Sequence, residues 1–175
     1  MSSAPRNREI RAVDAFLAED KHLVDGLPEW ATSSRKGEMQ AIWNIADAHG
    51  IERGHLRFRC ASRARLFPSV SVIFRDNPIW RVDVVPADEC KYNPVWCHAL
   101  GLPSTVCGNH EHGWPDNRNY VTQDGPWTLP ARRPLTPQLR QLTQIIPWFA
   151  IQIHLELNSE VHSFNVPPQT DLLPR

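Results

Sequence analysis

The sequence predicts an α+β domain: an antiparallel sheet of three or more strands, with two N-terminal helices and a C-terminal helix packed on it. Three observations predict this class. Apolar residues recur at helical spacing before residue 50, at a spacing of two between residues 55 and 85, and at helical spacing again near the C-terminal end. Helical and strand signals that are segregated along a chain, rather than alternating, mark α+β architecture. At 175 residues the chain fits one domain with its own core. It divides into a helical part (1–50), a sheet and Pro/Trp-rich part (55–134), a closing helix (136–157) and an irregular tail (158–175).

Residues 8–24 predict a helix because Ile10, Val13, Phe16 and Leu17 share one face, and Gly26 and Pro28 end it. After the polar linker ATSSRKG, residues 38–48 predict a second helix. Met39, Ile42, Trp43, Ile45 and Ala46 form its apolar side, and Gly50 sits where a C-terminal cap belongs. The period then falls to two. In HLRFRCA, Leu56, Phe58 and Cys60 oppose Arg57 and Arg59. In SVSVIFR, Val70, Val72 and Phe74 alternate with Ser69, Ser71 and Ile73. In IWRVDVV, Trp80, Val82 and Val84 alternate with Arg81, Asp83 and Val85. Turn residues at Pro68 and at Asp76-Asn77-Pro78 make this a three-stranded meander. Residues 86–134 hold few periodic runs, and TVCGNHEH is a candidate fourth strand. A long irregular stretch in a compact domain is a natural place for function, and Trp96, Trp114 and Trp127 argue that it is ordered. Thr136 and Pro137 suit the N-cap and first position of the closing helix. Leu139, Leu142, Ile145, Ile146 and Phe149 form its stripe, with a kink expected at Pro147.

Composition narrows the function. Nineteen basic and nineteen acidic residues give zero net charge, so no global field advertises nucleic acid. The four cysteines lack CxxC spacing and the density of a secreted scaffold, which predicts reduced thiols in a cytoplasmic protein. The start, MSSAPRNREIRAV, has no signal-like apolar stretch. No segment reaches the roughly 18–20 apolar residues of a membrane span, so no membrane partner is expected. There is no GxGxxG or GxxxxGK[ST] loop, no GxSxG and no HExxH. A nucleotide-driven motor, an α/β-hydrolase and a zincin are thereby disfavoured.

The reactive side chains concentrate in two places. Arg81 and Asp83 share a strand face, roughly 6.6 Å apart. They are either a cation and carboxylate beside a cleft or a solvated ion pair. In VCGNHEHGWPDNRNY, His110 and His112 share a face if the chain is extended. Two such imidazoles can ligate a divalent ion with a third ligand, act as base and acid near neutrality, or simply bond backbone carbonyls. Cys107 lies three residues before His110, and Cys97 directly precedes His98, so a thiol nucleophile or a further ligand stands beside plain burial. Asn93-Pro94, Asp116 and Asn117 read as turn formers. Trp114 either covers the site or packs, and Arg118 can fork onto a phosphate or carboxylate. Arg57, Arg59, Arg63, Arg65 and Arg75 make a local basic strip, suited to an anionic polymer or else a solvated face.

The order Arg81-x-Asp83, Asn93-Pro94, Gly108-x-His110-x-His112-x-Trp114 resembles a group of small bacterial proteins that includes the TumE-type toxins of toxin–antitoxin pairs, over roughly residues 55–130. That resemblance implies a small α+β fold and a nucleic-acid-damaging activity carried by Arg81, Asp83, His110 and His112. The chain departs from it in its N-terminal helical part, its C-terminal helix and the absence of a second histidine cluster before the HxH. A second resemblance, to ubiquitin-conjugating enzymes, rests on the order IFRDNPIWRVDVV, KYNP, TVCG and a closing helix. It implies Cys107 as a thioester-forming cysteine, although the expected paired prolines are absent.

The expectation that follows is a small cytoplasmic, ribonuclease-like phosphodiesterase acting on RNA or another anionic substrate. His110, His112, Asp83, Arg81 and Arg118 form its site, and one divalent metal ion on His110, His112 and Asp83 is an open alternative. Beside it stand a conjugating protein using Cys107 and a non-enzymatic binding protein with a protein partner. The sharpest expectation is geometric: at least one imidazole lies within hydrogen-bond reach, or one water, of Asp83 or Arg81.

Overall fold

The computed structural model describes residues 3–121, 127–135 and 139–167. In chain order its elements are α1 (Ser3–Ala18), β1 (Lys21–Leu23), β2 (Ala31–Thr32), β3 (Glu38–Asp47), β4 (Glu52–Ala61), β5 (Ala64–Phe74) and β6 (Asn77–Asp83). There follow β7 (Cys90–Tyr92), a 3-10 turn (Val95–Leu100), β8 (Thr105–Cys107), β9 (His110–His112), α2 (Trp114–Val121) and β10 (Arg133–Pro134). The described chain closes with α3 (Leu142–Gln152), β11 (Leu155–Glu156) and a second 3-10 turn (Ser159–Ser163). The fold is α+β, as the sequence predicts.

One sheet runs in the order β10-β9-β6-β5-β4-β3-β1-β11, with β2 also bonded to β3, while β7 and β8 form a separate hairpin. β1 and β11 run parallel, so the sheet is mixed rather than purely antiparallel. The expected meander is its centre, as β4, β5 and β6.

The second N-terminal helix is corrected to a strand. Residues 38–47 are β3, paired along its length with β4. The apolar spacing is misleading there because Ile42 sits on the outer face, 45% exposed, while Ala41, Trp43 and Ile45 alternate inward. β-branched and aromatic side chains at every other position favour the pleat over the helix. The first helix also stops earlier than expected, at Ala18, and the chain turns into β1 by Lys21. The closing helix is shorter than 136–157: Gln141 caps it, and it continues through Pro147 to Gln152. The expected start at Thr136-Pro137 lies outside the described residues.

Both long helices cover the apolar sheet face. Ile10, Val13 and Phe16 of α1 and Ile145, Ile146 and Phe149 of α3 join Leu56, Phe58, Val70, Val72 and Val82 in one buried cluster. Each such side chain contributes about 1.5–3 kcal/mol by leaving water. Phe16 stacks on Phe74 with ring centroids 4.6 Å apart. The other sheet face carries the polar alternates.

The β5–β6 hairpin sets the register of that polar face. Arg75 and Asp76 have φ of 48° and 66°. Two successive left-handed residues make the tight turn whose twist matches paired strands. The turn therefore sits one residue earlier than expected, with Asn77 and Pro78 already in β6. Together with a one-residue register shift between Val72 and Ile73, which leaves Ile79 unpaired, it places Ser71 opposite Arg81 and Ser69 opposite Asp83. No helix among the described residues is long and apolar enough to cross a membrane.

Candidate active site

The stretch TVCGNHEH is not one strand. It breaks at Gly108, whose φ of 72° is left-handed backbone that side chains rarely adopt. Before the break, β8 pairs with β7. After it, β9 joins the edge of β6. Asn109 secures the junction: its carbonyl oxygen Oδ1 accepts from Val85 N at 3.0 Å, and its amide donates to Leu139 O at 2.6 Å.

The β6–β9 register puts Arg81 opposite His112 and Asp83 opposite His110. Because side chains alternate along both strands, all four stand on one face. Two rows therefore cross the sheet: Gln40, Arg59, Ser69, Asp83 and His110 in one, and Ile42, Arg57, Ser71, Arg81 and His112 in the other. The intervening serines are short and leave space above the sheet. Glu111 points the opposite way and accepts from Trp80 Nε1 at 2.8 Å. Burial raises its pKa, the Trp80 bond opposes that, and the nearby Asp116 adds to it.

The geometric expectation is met. His110 Nε2 lies 3.5 Å and His112 Nε2 3.3 Å from Asp83 Oδ2. Arg81 Nη2 is 2.6 Å from His112 Nε2, and Arg81 Nε is 2.9 Å from Asp83 Oδ2. Ser69 Oγ donates to Asp83 Oδ1 at 2.7 Å. The far ring nitrogens are also engaged: His110 Nδ1 meets Gly108 O at 2.8 Å and His112 Nδ1 meets Leu129 O at 2.6 Å. A carbonyl can only accept, so both Nδ1 atoms carry a proton and both rings turn Nε2 toward Asp83 and Arg81.

Electrostatics follow from this packing. Burial pushes the Asp83 carboxyl pKa upward, but the Arg81 charge and the Ser69 hydroxyl hold it well below the ordinary carboxylate range, and the His112 contact adds to this only when that ring carries a proton on Nε2. Asp83 is therefore an anion. Burial depresses the His112 pKa, Asp83 opposes that, and the Arg81 charge deepens it. His112 is thus a neutral acceptor for the guanidinium.

Asp83, His110 and His112 offer three ligand atoms within 4.8 Å of one another. Imidazoles anchored through Nδ1 to carbonyls are the usual arrangement around a metal. Against a metal stands Arg81, whose guanidinium already occupies the approach to His112 Nε2 and Asp83 Oδ2.

The remaining expected site residues are not brought here. Arg118 lies on α2, and its guanidinium forks onto Asp14 of α1 at 2.7–3.1 Å. It fixes α2 to α1. Trp114 packs rather than covers: it is 3% exposed, stacks on Trp127 at 5.7 Å and donates to Asp14. Asp116 pairs with Arg133. Asn93 and Asn117 are buried amides that satisfy the backbone at Pro103, Gly113, Ala131 and Arg132. Cys107 is bonded to Cys90 across the β7–β8 pair, which corrects the expectation of four reduced thiols and leaves Cys107 without a free thiol. Cys60 and Cys97 are free and buried, and burial raises both thiol pKa values. His98 is exposed in the 3-10 turn, away from any metal-type cluster among the described residues.

Sequence reasoning overlooked Phe67, Ser69, Lys91 and Arg132, which line a cleft of about 290 Å³ with Arg81, Asp83 and His110. Ser69 was legible from its row on β5. Arg132 was not, because it lies far beyond Asp83 in the chain and is brought back by the Asn93 clip. Burial lowers its pKa, and the Arg81 charge adds to that while Asp83 opposes it. The next cleft, about 340 Å³, is lined by Arg35, Arg57, Arg59, Ser69 and Arg81 among others. The Nε atoms of Arg57, Arg59, Arg81 and Arg132 are shielded from solvent without an aligned hydrogen-bond acceptor. Arg59 and Arg81 nonetheless form ion pairs through these atoms, Arg59 Nε with Glu38 at 3.5 Å and Arg81 Nε with Asp83 at 2.9 Å. No protein-family model, curated protein or solved structure matches this chain.

Proposed function

We propose that this protein cleaves phosphodiester bonds in RNA at the cleft formed by Asp83, His110, Arg81 and Arg132. The observation that carries the reading is the β6–β9 register, which stands an imidazole, a carboxylate and a guanidinium on one face of a cleft that a second guanidinium also lines. The order Arg-x-Asp then His-x-His, similar to that of TumE-type toxins, points the same way.

Each group has a role set by its position. His110 lines the cleft, and its Nε2 takes the proton from a ribose 2′-hydroxyl. Asp83 stabilises the imidazolium that forms. The 2′-oxygen–phosphorus bond forms and the phosphorus–5′-oxygen bond breaks, giving a cyclic phosphate. The leaving 5′-oxygen takes a proton from water in the open cleft, and His110 returns its proton to solvent. Arg81 and Arg132 offset charge gathering on the non-bridging oxygens. His112 is a positioning residue: unlike His110 it does not line the cleft, and its Nε2 holds the Arg81 guanidinium.

The test is cleavage of a labelled single-stranded RNA beside the DNA of the same sequence. RNA should be cut to cyclic-phosphate ends, DNA should remain intact, and His110→Ala should lose about a hundred-fold or more in rate. Cleavage of both strands, or full activity in His110→Ala, would refute the mechanism.

A second reading, a divalent metal on Asp83, His110 and His112, is favoured by the spacing of those three donors and their anchored Nδ1 atoms. Chelation separates the two. Activity unchanged in EDTA supports the metal-free site, whereas loss restored by added zinc or manganese supports the metal.

A further inference from the structure

Phe67 stands where a substrate would have to pass. It lies two residues before Ser69 and four before Ser71 on β5, hence on the same polar face as Arg81, Asp83 and the histidines. It is 42% exposed among arginines, serines and a carboxylate. Three clefts meet at it: the arginine-lined one, the His110–Asp83 one, and a third of about 700 Å³ whose walls include Leu66, Val84, Val85, Pro86 and Leu135. Among the described residues, Phe67 alone lines all three.

The chemistry alternates around this ring. On one side are Arg35, Arg57 and Arg59 with Glu38, whose Oε1 lies 3.5 Å from Arg59 Nε, while the shielded Nε of Arg57 has no protein acceptor. On the next is the His110–Asp83 cleft, and on the last a mainly apolar hollow with Asn109, Arg140 and Gln141 among its walls. Four guanidiniums, those of Arg35, Arg57, Arg59 and Arg81, line this cleft beside the single Glu38 carboxylate, and a buried donor without a partner is costly, so the cleft suits an added anion. The ligand that presents anions and flat apolar faces in alternation is a polynucleotide. Only a single strand exposes its base faces, since a duplex stacks them away.

Resting on the reading above, we propose that Phe67 is the stacking platform for a base of single-stranded RNA beside the scissile phosphate. A neighbouring base enters the hollow of Leu66, Val84 and Leu135, and the next phosphates run over Arg57 and Arg59. Phe67 thereby sets which linkage lies over His110 and favours unpaired RNA.

The test uses full-length protein carrying His110→Ala, so that binding is measured without turnover, and a fluorescein-labelled twelve-nucleotide single-stranded RNA read by anisotropy. Adding Phe67→Ala should weaken binding roughly ten-fold or more, as loss of one stacked base does. Phe67→Trp should bind as tightly as the parent, which also guards against a folding defect in the alanine form. The same RNA annealed into a duplex should bind the parent more weakly than the single strand. Equal affinity with and without the Phe67 ring, no binding by the parent, or a preference for duplex would overturn the proposal. The two readings fail separately. If wild type cuts RNA but Phe67→Ala binds undiminished, the platform falls alone. If wild type cuts nothing while the Phe67 effect persists, catalysis falls and the binding site stands.

Discussion

His112 has both ring nitrogens committed, one donating to Leu129 O and the other accepting from Arg81. That arrangement holds only while the ring is neutral. Protonation removes the acceptor and places an imidazolium against a guanidinium inside a buried pocket. Burial and the Arg81 charge therefore keep the folded-state pKa below the ordinary histidine value. With the folded pKa depressed, the unfolded chain binds more protons than the native one as pH drops below about 6.5, and stability falls with it. His112→Gln offers an amide that can still accept from Arg81 and donate to Leu129 without titrating. The loss of stability between pH 7 and pH 5, followed by urea unfolding, should shrink in that variant. An unchanged pH dependence would mean that His112 does not titrate in this range. His112→Ala instead leaves the guanidinium donor and the carbonyl unpaired, at a cost of about 1–3 kcal/mol. At the same scale, the pairing of Arg81 and Asp83 with the histidines was legible because strand alternation puts residues two apart on one face. The misplacement of Arg118 was not, since nothing in its local sequence reveals that Asp14, far back on α1, takes its fork.

The meander was legible because its strands alternate cleanly and its apolar set faces one way. β3 was misread because Ile42 adds an outward apolar residue that mimics helical spacing. The Cys90–Cys107 bond was invisible for a similar reason. It depends on the register of two three-residue strands, β7 and β8, that carry no periodic signal. The joint between α1, β1 and α3 was equally hidden, and it turns on Lys21. That side chain is 4% exposed, and its ammonium donates to Glu19 O just beyond α1 and to Ile153 O at the end of α3. It also lies 5.0 Å from the Phe16 ring centroid. Burial lowers its pKa from 10.5 to about 8, against the opposing pull of Glu19 and Asp20. Below pH 8 both states hold the proton, and the cost of burying the charge is present in full. Between about 8 and 10.5 the native state releases a proton that the unfolded chain keeps, so stability rises with pH. The gain is at most about 3 kcal/mol. Thermal melts from pH 8 to pH 10 should show this rise in wild type and a smaller one in Lys21→Met. A wild-type curve parallel to that of the variant would show that Lys21 stays charged in the fold.

Zero net charge hid the most useful property of the whole molecule, which is how the charge is distributed. Composition averages over faces, whereas the fold sorts them. α1 and α3 take the apolar side of the sheet, and Arg57, Arg59 and Arg81 collect on the other. Two of these were legible as a strip in β4. Arg35, Arg81 and Arg132 join it only through pairing and loop packing. The result is a local, mainly positive track across a neutral protein, with Asp83 at one end and Glu38 beside Arg59. Such a track binds a phosphate chain by releasing its condensed counterions, and for a single strand the logarithm of affinity falls by about 0.7 per contacted phosphate for each logarithm of salt. If Arg57 and Arg59 each hold one phosphate, their joint removal should flatten the slope by about 1.4, twice the single-phosphate value. The measurement is affinity of the His110→Ala protein for the twelve-nucleotide RNA between 50 and 300 mM salt, with and without Arg57→Gln/Arg59→Gln (about a six-fold range, wide enough to fix a slope). The Phe67→Ala change should instead lower affinity at every salt concentration and leave the slope alone, because stacking releases no ions. A slope unmoved by loss of both arginines would place the phosphates elsewhere and leave the shielded Nε donor of Arg57 without a ligand.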